Sequence, residues 1–237
     1  YGTAVGAAVN AAVKTPGWVT SCGKAAPIIS AGLFLAPYPT IKNIIADRSV
    51  GSFPLLPYSS MCVNAFMWMT YGILKKDSNI FTPNSFGLIC GLNYFYQFRK
   101  NCSPKASNLP GTVSQHVNWS TILISFTLLV ASTMETNVAS SIIGKMAVFI
   151  CIVLFASPLA ALKTVIKTKD ASSIPLPFTL TCMLNCFLWS VYGVLEKNDF
   201  NIYFPNIMGL ASSIAQFILI MIFRNAPKTV NKNELPL

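Results

Sequence analysis

Between residues 25 and 223 the chain is divided into seven apolar blocks of about 18 to 22 residues, separated by short polar stretches. A block of that length crosses about 30 Å of hydrocarbon as a helix, rising about 1.5 Å per residue. In a bilayer every backbone amide must be paired within the protein, so blocks of this kind fold as α-helices. The predicted spans cover residues 25–43, 54–74, 79–98, 117–134, 142–163, 175–195 and 201–223. Only 10% of the 237 residues are charged, against roughly 25% in a soluble domain. The third span is the most polar, because Asn84, Asn93 and Gln97 fall within it. Such a helix is better accommodated inside a bundle than against lipid, and it is expected to line or support a polar pathway.

Slid against itself by 121 residues, the chain matches Pro37 with Pro158, Lys42 with Lys163, Pro54 with Pro175, Asn64 with Asn185, Trp68 with Trp189, Tyr71 with Tyr192 and Gly72 with Gly193. After one extra residue near Asn198 the offset becomes 122. Asn79, Ile80, Pro83, Asn84, Gly87 and Leu88 then match Asn201, Ile202, Pro205, Asn206, Gly209 and Leu210. Each copy holds three spans, an odd number, so two copies of the same orientation need one span between them. Residues 117–134 supply it and have no repeat partner. The expected fold is an all-α membrane protein of two parallel triple-helix bundles, residues 25–98 and 142–223, joined by a loop and linker helix over 99–141. Parallel repeats about an axis along the membrane normal are a transporter plan, with the ligand site at their interface.

The formal charge of +10 would suggest nucleic acid in a soluble protein. Here the basic residues fall between apolar blocks, which points to topology and to no nucleic-acid partner. With the N-terminus outside, Lys42, Arg48, Arg99, Lys100, Lys105, Lys163, Lys167, Lys169, Arg224, Lys228 and Lys232 lie on the cytoplasmic side. They are eleven of the 17 basic residues. Residues 1–24 are then expected as an extracytoplasmic segment and 224–237 as a short cytoplasmic tail. The sequons at Asn101 and Asn118 fall on the cytoplasmic side, out of reach of glycosylation. The seven cysteines lack CxxC spacing and histidine neighbours, so neither a metal site nor a disulfide framework is expected.

The repeat axis would set Trp68 against Trp189 and Asn84 against Asn206 around one central cavity. Sugars present C–H faces that stack on aromatic rings and hydroxyls that need uncharged donors and acceptors, which indoles and amides provide. Asn64 and Asn185 lie one turn before the tryptophans on the same helix face. The plainer readings are interfacial tryptophan and asparagine as interhelical glue; symmetric pairing at mid-span depth favours a binding site. Ser30, Leu33 and Pro37 share a helix face, and Cys151, Leu154 and Pro158 repeat the spacing. Leu33 and Leu154 are therefore expected to narrow the pocket and favour a monosaccharide. Pro37 and Pro158, inside spans, remove backbone hydrogen bonds and are expected as hinges. Pro57 and Pro175 sit near span starts, where a first-turn proline is also simply tolerated. No Asp or Glu falls well inside a span, which favours facilitation without proton coupling. His116, the single histidine, is expected in a solvent-exposed loop, and no nucleophile–base pair suggests an enzyme or a cofactor.

Ala36-Pro37, Ser157-Pro158, Leu56-Pro57-Tyr58, Ile174-Pro175, the two Asn-x3-Trp-x2-Tyr-Gly strings and Phe204-Pro205-Asn206-Ile207-Met208-Gly209 together resemble the SWEET and semiSWEET sugar transporters. The resemblance runs over residues 25–224 and recurs in both halves. It implies bidirectional uniport of mono- or disaccharides by rocking of the bundles. Asn84 and Asn206 match the paired pore asparagines, Trp189 the sugar-stacking tryptophan, and Pro37, Pro57, Pro158 and Pro175 the proline tetrad. Trp68 departs from the smaller residue common in eukaryotic members, which implies a tighter or more symmetric pocket. The resemblance also admits a homo-oligomer, although one chain already holds both halves of a pathway. Another PQ-loop carrier is the nearest rival, but Tyr38 and Leu159 stand where its glutamine would follow the proline. A seven-helix receptor predicts no repeat. A nontransporting scaffold remains a third reading, for a pore can be built without conducting.

Overall fold

The computed structural model describes residues 15–103 and 111–224, all of whose regular structure is helical. The first span is broken in two: α1 (Gly17–Leu35) and α2 (Tyr38–Asp47) meet at Ala36 and Pro37. Proline has no N–H to give the carbonyl of Leu33, which is taken instead by the N–H of Ala36 at 3.1 Å. The fifth span repeats the device. α6 (Thr136–Leu154) and α7 (Ala156–Thr168) meet at Phe155, one turn before Pro158, whose missing N–H leaves the Leu154 carbonyl without its helical donor. The other spans are α3 (Leu56–Leu74), α4 (Ser78–Asn101), α5 (Val113–Thr133), α8 (Leu176–Val191, continued by a π-helical turn over Tyr192–Glu196) and α9 (Phe200–Phe223).

α1 begins at Gly17, so residues 17–24, expected ahead of the membrane, form the first turns of the span. Pro16 precedes the helix, and Trp18 and Val19 begin its apolar run. Among the described residues four stretches could by length and composition cross a bilayer unaided: Gly17–Asp47, Thr136–Thr168, Leu176–Glu196 and Phe200–Phe223. α3, α4 and α5 are long enough, at 19, 24 and 21 residues, but more polar. α3 spends much of its surface on protein neighbours, with nine of its residues buried.

In each half the third span stands between the first and second: α4 packs on α1, α2 and α3, and α9 on α6, α7 and α8. The hairpin between second and third spans is tight, since a Cβ on Gly72 would sit 2.7 Å from the Phe81 nitrogen and one on Gly193 2.8 Å from that of Tyr203. The halves meet through α1 against α8 and α3 against α6, the contacts a two-fold axis requires, while α5 rests on α3 and α6. Burial is unevenly distributed along this axis. At one end a single apolar core, including Met67, Tyr71, Ile143 and Tyr192, crosses both bundles. At the other, basic end each bundle has a core of its own, around Ile44 and Phe98 in the first and Val165 and Ile220 in the second. The bundles are thus welded at one end and independent at the other.

Candidate functional site

The central residues come in pairs from equivalent helices. α3 and α8 carry Asn64 with Trp68 and Asn185 with Trp189 at i and i+4, so an amide and an indole stand one turn apart on the face turned to the axis. α4 and α9 supply Asn84 and Asn206. α1 contributes Ser30 and Phe34, and the α6–α7 joint contributes Cys151 and Phe155. Together they border a cavity of about 200 Å³, into which Ile80, Ile202 and Cys186 also reach.

The polar groups are partly committed to one another. Ser30 Oγ donates to Asn185 Oδ1 at 2.7 Å and accepts from Trp189 Nε1 at 2.9 Å. The symmetric contact is weaker in chemistry, Cys151 Sγ donating to Asn64 Oδ1 at 3.5 Å. Asn84 and Asn206 each donate one amide hydrogen to the carbonyl four residues back, Ile80 at 2.8 Å and Ile202 at 2.7 Å. That bond orients each amide and leaves a second hydrogen and the oxygen for the cavity.

Leu33 and Leu154 do not line this cavity; Phe34 and Phe155 do. The reason is helical phase. Ser30 and Phe34, like Cys151 and Phe155, are four residues apart and point the same way, whereas the residue at i+3 falls to the flank. Phe34 lies so close to Gly87 that a Cβ there would be 2.6 Å from the ring, and the equivalent Gly209 faces Phe155 and Cys186. Pro37 and Pro158 lie at the helix joints, half-buried; Pro57 and Pro175 are exposed, at the second residue of α3 and immediately before α8. Pro158 and Pro175 border one crevice of the second bundle. His116 is not in a loop: it lies in the first turn of α5, half-buried, with Nδ1 2.8 Å from Ser59 Oγ.

One turn beyond each tryptophan the chain builds a reciprocal latch that the sequence reading missed. Tyr71 donates to Asp199 Oδ2 at 2.5 Å, and Tyr192 donates to Asp77 Oδ2 at 2.7 Å. Asn201 donates to the Tyr71 hydroxyl at 3.4 Å and Asn79 to that of Tyr192 at 3.2 Å. Lys75 pairs with Asp199 and Lys197 with Asp77, both at 3.2 Å. Every bond in this set joins one bundle to the other and has its image under the repeat. Each aspartate also accepts from the backbone N–H two residues on, as the cap of α4 or α9. Lys197 lies beyond the spans; burial pulls its pKa down, but the Tyr192 hydroxyl and the Asp77 charge outweigh this and hold it above the ordinary lysine value. The signal was present, since Tyr71 and Tyr192, and Asn79 and Asn201, align in the repeat. Only knowing that the axis crosses second spans with opposite hairpin tips pairs them. Gly23 and Gly144 give the tyrosine rings room: a Cβ would come within 2.5 Å of Tyr192 at Gly23, and within 2.7 Å of Tyr71 at Gly144.

Two parallel triple-helix bundles, an amide-and-indole cavity at their interface and a reciprocal latch across one end define a membrane carrier, with the site placed as in repeat-built transporters. A profile described as a sugar efflux transporter for intercellular exchange (MtN3/saliva) matches residues 21–106 and 141–228, leaving out the linker helix. The bidirectional sugar transporter SWEET9 of Arabidopsis thaliana is 32% identical over 85% of this chain and 78% of its own length. The bidirectional sugar transporter SWEET7b of Oryza sativa subsp. japonica is 32% identical over 88% and 80%. A eukaryotic SWEET transporter of known structure superposes with a TM-score of 0.76 at 26% identity, over 87% of this chain and 96% of that one. The chain belongs to the SWEET (MtN3/saliva) family of sugar transporters, integral membrane proteins that are carriers and not enzymes.

Proposed function

We propose that the chain is a bidirectional, energy-independent uniporter that moves one monosaccharide, such as glucose, per cycle of alternating access. The observation that carries this is the cavity: paired tryptophans and four asparagines, with no carboxylate, amine or imidazole among the residues that border it. Such a wall recognises C–H faces and hydroxyls and has no group to bind a proton along with them. A cavity of about 200 Å³ compares with the ~150 Å³ that holds a benzene ring, which suits one substituted six-membered ring rather than two. Asn84 and Asn206 would bond hydroxyls, Trp189 and Trp68 would sandwich the ring, and Asn64, Asn185, Ser30 and Cys151 would border it. The narrowing falls to Phe34 and Phe155 in place of Leu33 and Leu154.

The latch is then the closed outer gate, and Pro37, Pro57, Pro158 and Pro175 are the hinges on which the basic ends part or meet. The basic ends face the cytoplasm, where positive residues are retained. The two buried aspartates lie outside the lining of the cavity, and each is ion-paired with a lysine at 3.2 Å. The test is uptake of labelled glucose, fructose and sucrose into proteoliposomes with and without a proton gradient. Gradient-independent hexose uptake supports the proposal. Robust sucrose uptake without glucose would overturn the monosaccharide reading, and dependence on the gradient would overturn uniport. Glycosylation at Asn101 or Asn118 would overturn the proposed topology.

A further inference from the structure

At the basic end of the first bundle the last turn of α4, the two residues after it and the end of α2 border an open surface pocket of about 680 Å³. Its wall carries two cations, Arg48 and Lys100, two amides, Gln97 and Asn101, and an apolar edge at Ile45. Among the described residues neither cation pairs with a carboxylate. α4 has 24 residues, about 36 Å at ~1.5 Å per residue, so its last turn stands at headgroup depth when the helix crosses a core of about 30 Å.

The second bundle provides an internal control. Its scaffold at this place is the same: α7 ends like α2, with the cap residue left-handed in both, Arg48 at φ 49° and Lys169 at φ 56°. Buried Ile44, Val50 and Phe98 have buried counterparts in Val165, Ala171 and Ile220. The surface chemistry does not repeat. Where the first bundle has Gln97, Lys100, Asn101 and Cys102, the second has Leu219, Ile222, Phe223 and Arg224. Lys169, the counterpart of Arg48, lies over the Phe223 ring at 5.0 Å. A cation at a helix C-terminus needs no special explanation, and both bundles have one. Each bundle thus has two cations at this place, Arg48 and Lys100 in the first and Lys169 and Arg224 in the second, but the two amides beside them belong to the first alone.

We propose that this pocket binds the phosphate of an anionic phospholipid, with Arg48 and Lys100 on the phosphate oxygens, Gln97 and Asn101 on the glycerol side, and Ile45 at the start of an acyl chain. The site is separate from the central cavity and makes the two halves of a symmetric carrier unequal towards lipid.

The experiment is native mass spectrometry of the full-length protein from nanodiscs of phosphatidylcholine with and without phosphatidylglycerol, whose only charge is its phosphate. Arg48→Gln/Lys100→Gln is compared with Lys169→Gln. At about five-fold per surface charge, the double variant should bind phosphatidylglycerol some 25-fold more weakly, and Lys169→Gln should bind as the unmodified protein does. Soluble glycerol phosphate in excess should not displace the lipid; if it does, the site is one for free phosphate esters and the lipid assignment is wrong. Retained binding in the double variant, or an equal loss in Lys169→Gln, would overturn the proposal. Sugar uptake by the double variant reports that it is folded.

Discussion

Tyr71→Phe removes one oxygen from the latch and leaves the ring against Trp68. In the closed state it deletes a bond to an ionised acceptor, Tyr71 to Asp199 at 2.5 Å, and strands the Asn201 amide that donated to the hydroxyl at 3.4 Å. Asp199 keeps Lys75 at 3.2 Å and the backbone N–H of Asn201 at 3.0 Å, so the carboxylate is not left unpaired. Once the latch opens to water, Asp199 is solvated in either protein. The substitution therefore acts on the closed state alone. A hydrogen bond to a charged group contributes about 1.5–3 kcal/mol, which lowers the closed-to-open ratio by roughly 10- to 150-fold.

The assay uses thiols already in place, since Cys151 and Cys186 border the cavity. A membrane-impermeant methanethiosulfonate added on the latch side of sealed vesicles reaches them only when the latch is open. Labelling at these two residues, read by mass spectrometry, should quicken at least ten-fold in Tyr71→Phe and again in Tyr71→Phe/Tyr192→Phe, whose second bond runs to a different aspartate. Labelling at the original rate in a double variant that still takes up sugar would refute the assignment of these tyrosines as the closure.

Asn84→Ala and Asn206→Ala should each weaken hexose binding about 3- to 10-fold, the value of one neutral hydrogen bond, measured by titration of tryptophan fluorescence. Phe34→Ala should enlarge the cavity and admit sucrose in the uptake assay, while Leu33→Ala, which lies off the cavity, should leave selectivity unchanged. Gly144→Ala places a methyl against Tyr71 and Asn201 and should cost about 1–3 kcal/mol of the closed state, seen as faster thiol labelling from the latch side with little change in expression.

The spans were legible because the bilayer leaves the backbone so little choice, and the two bundles because the repeat survives in residues as particular as Trp68 and Trp189. What escaped the sequence was what depends on rotation and depth. Residues 17–24, rich in small residues, gave too faint an apolar signal to extend the first span back to Gly17. The repeated Ser30, Leu33, Pro37 spacing points to Leu33, yet i+3 and i+4 both lie near a common face, and only the bundle fixes that Phe34 turns inward. Asp77 and Asp199 cap α4 and α9, yet an end is a boundary in sequence and a buried interface in space when two hairpin tips meet across an axis.

The one-residue change of offset near Asn198 acquires a structural meaning. In the first repeat the N–H of Lys75 bonds the carbonyl of Tyr71, four residues back; in the second the N–H of Lys197 reaches Tyr192, five back. The added residue is absorbed as a π-helical turn over Tyr192–Glu196, which carries it without moving Tyr192 or Asp199 from their symmetric places. The preserved parts run from cavity to latch: Trp68 meets Tyr71 edge-on at 5.5 Å, and Trp189 meets Tyr192 at 5.7 Å. A ligand against either indole therefore bears on the ring that closes the latch one turn away. Any preference of the ligand for one position of that ring is, by linkage, an equal preference of the latch for the occupied or empty cavity. Duplicating the connection about the axis gives both bundles the same coupling, and the added residue falls between Tyr192 and Asp199, beyond the tryptophan–tyrosine contact, where the π-helical turn takes it up.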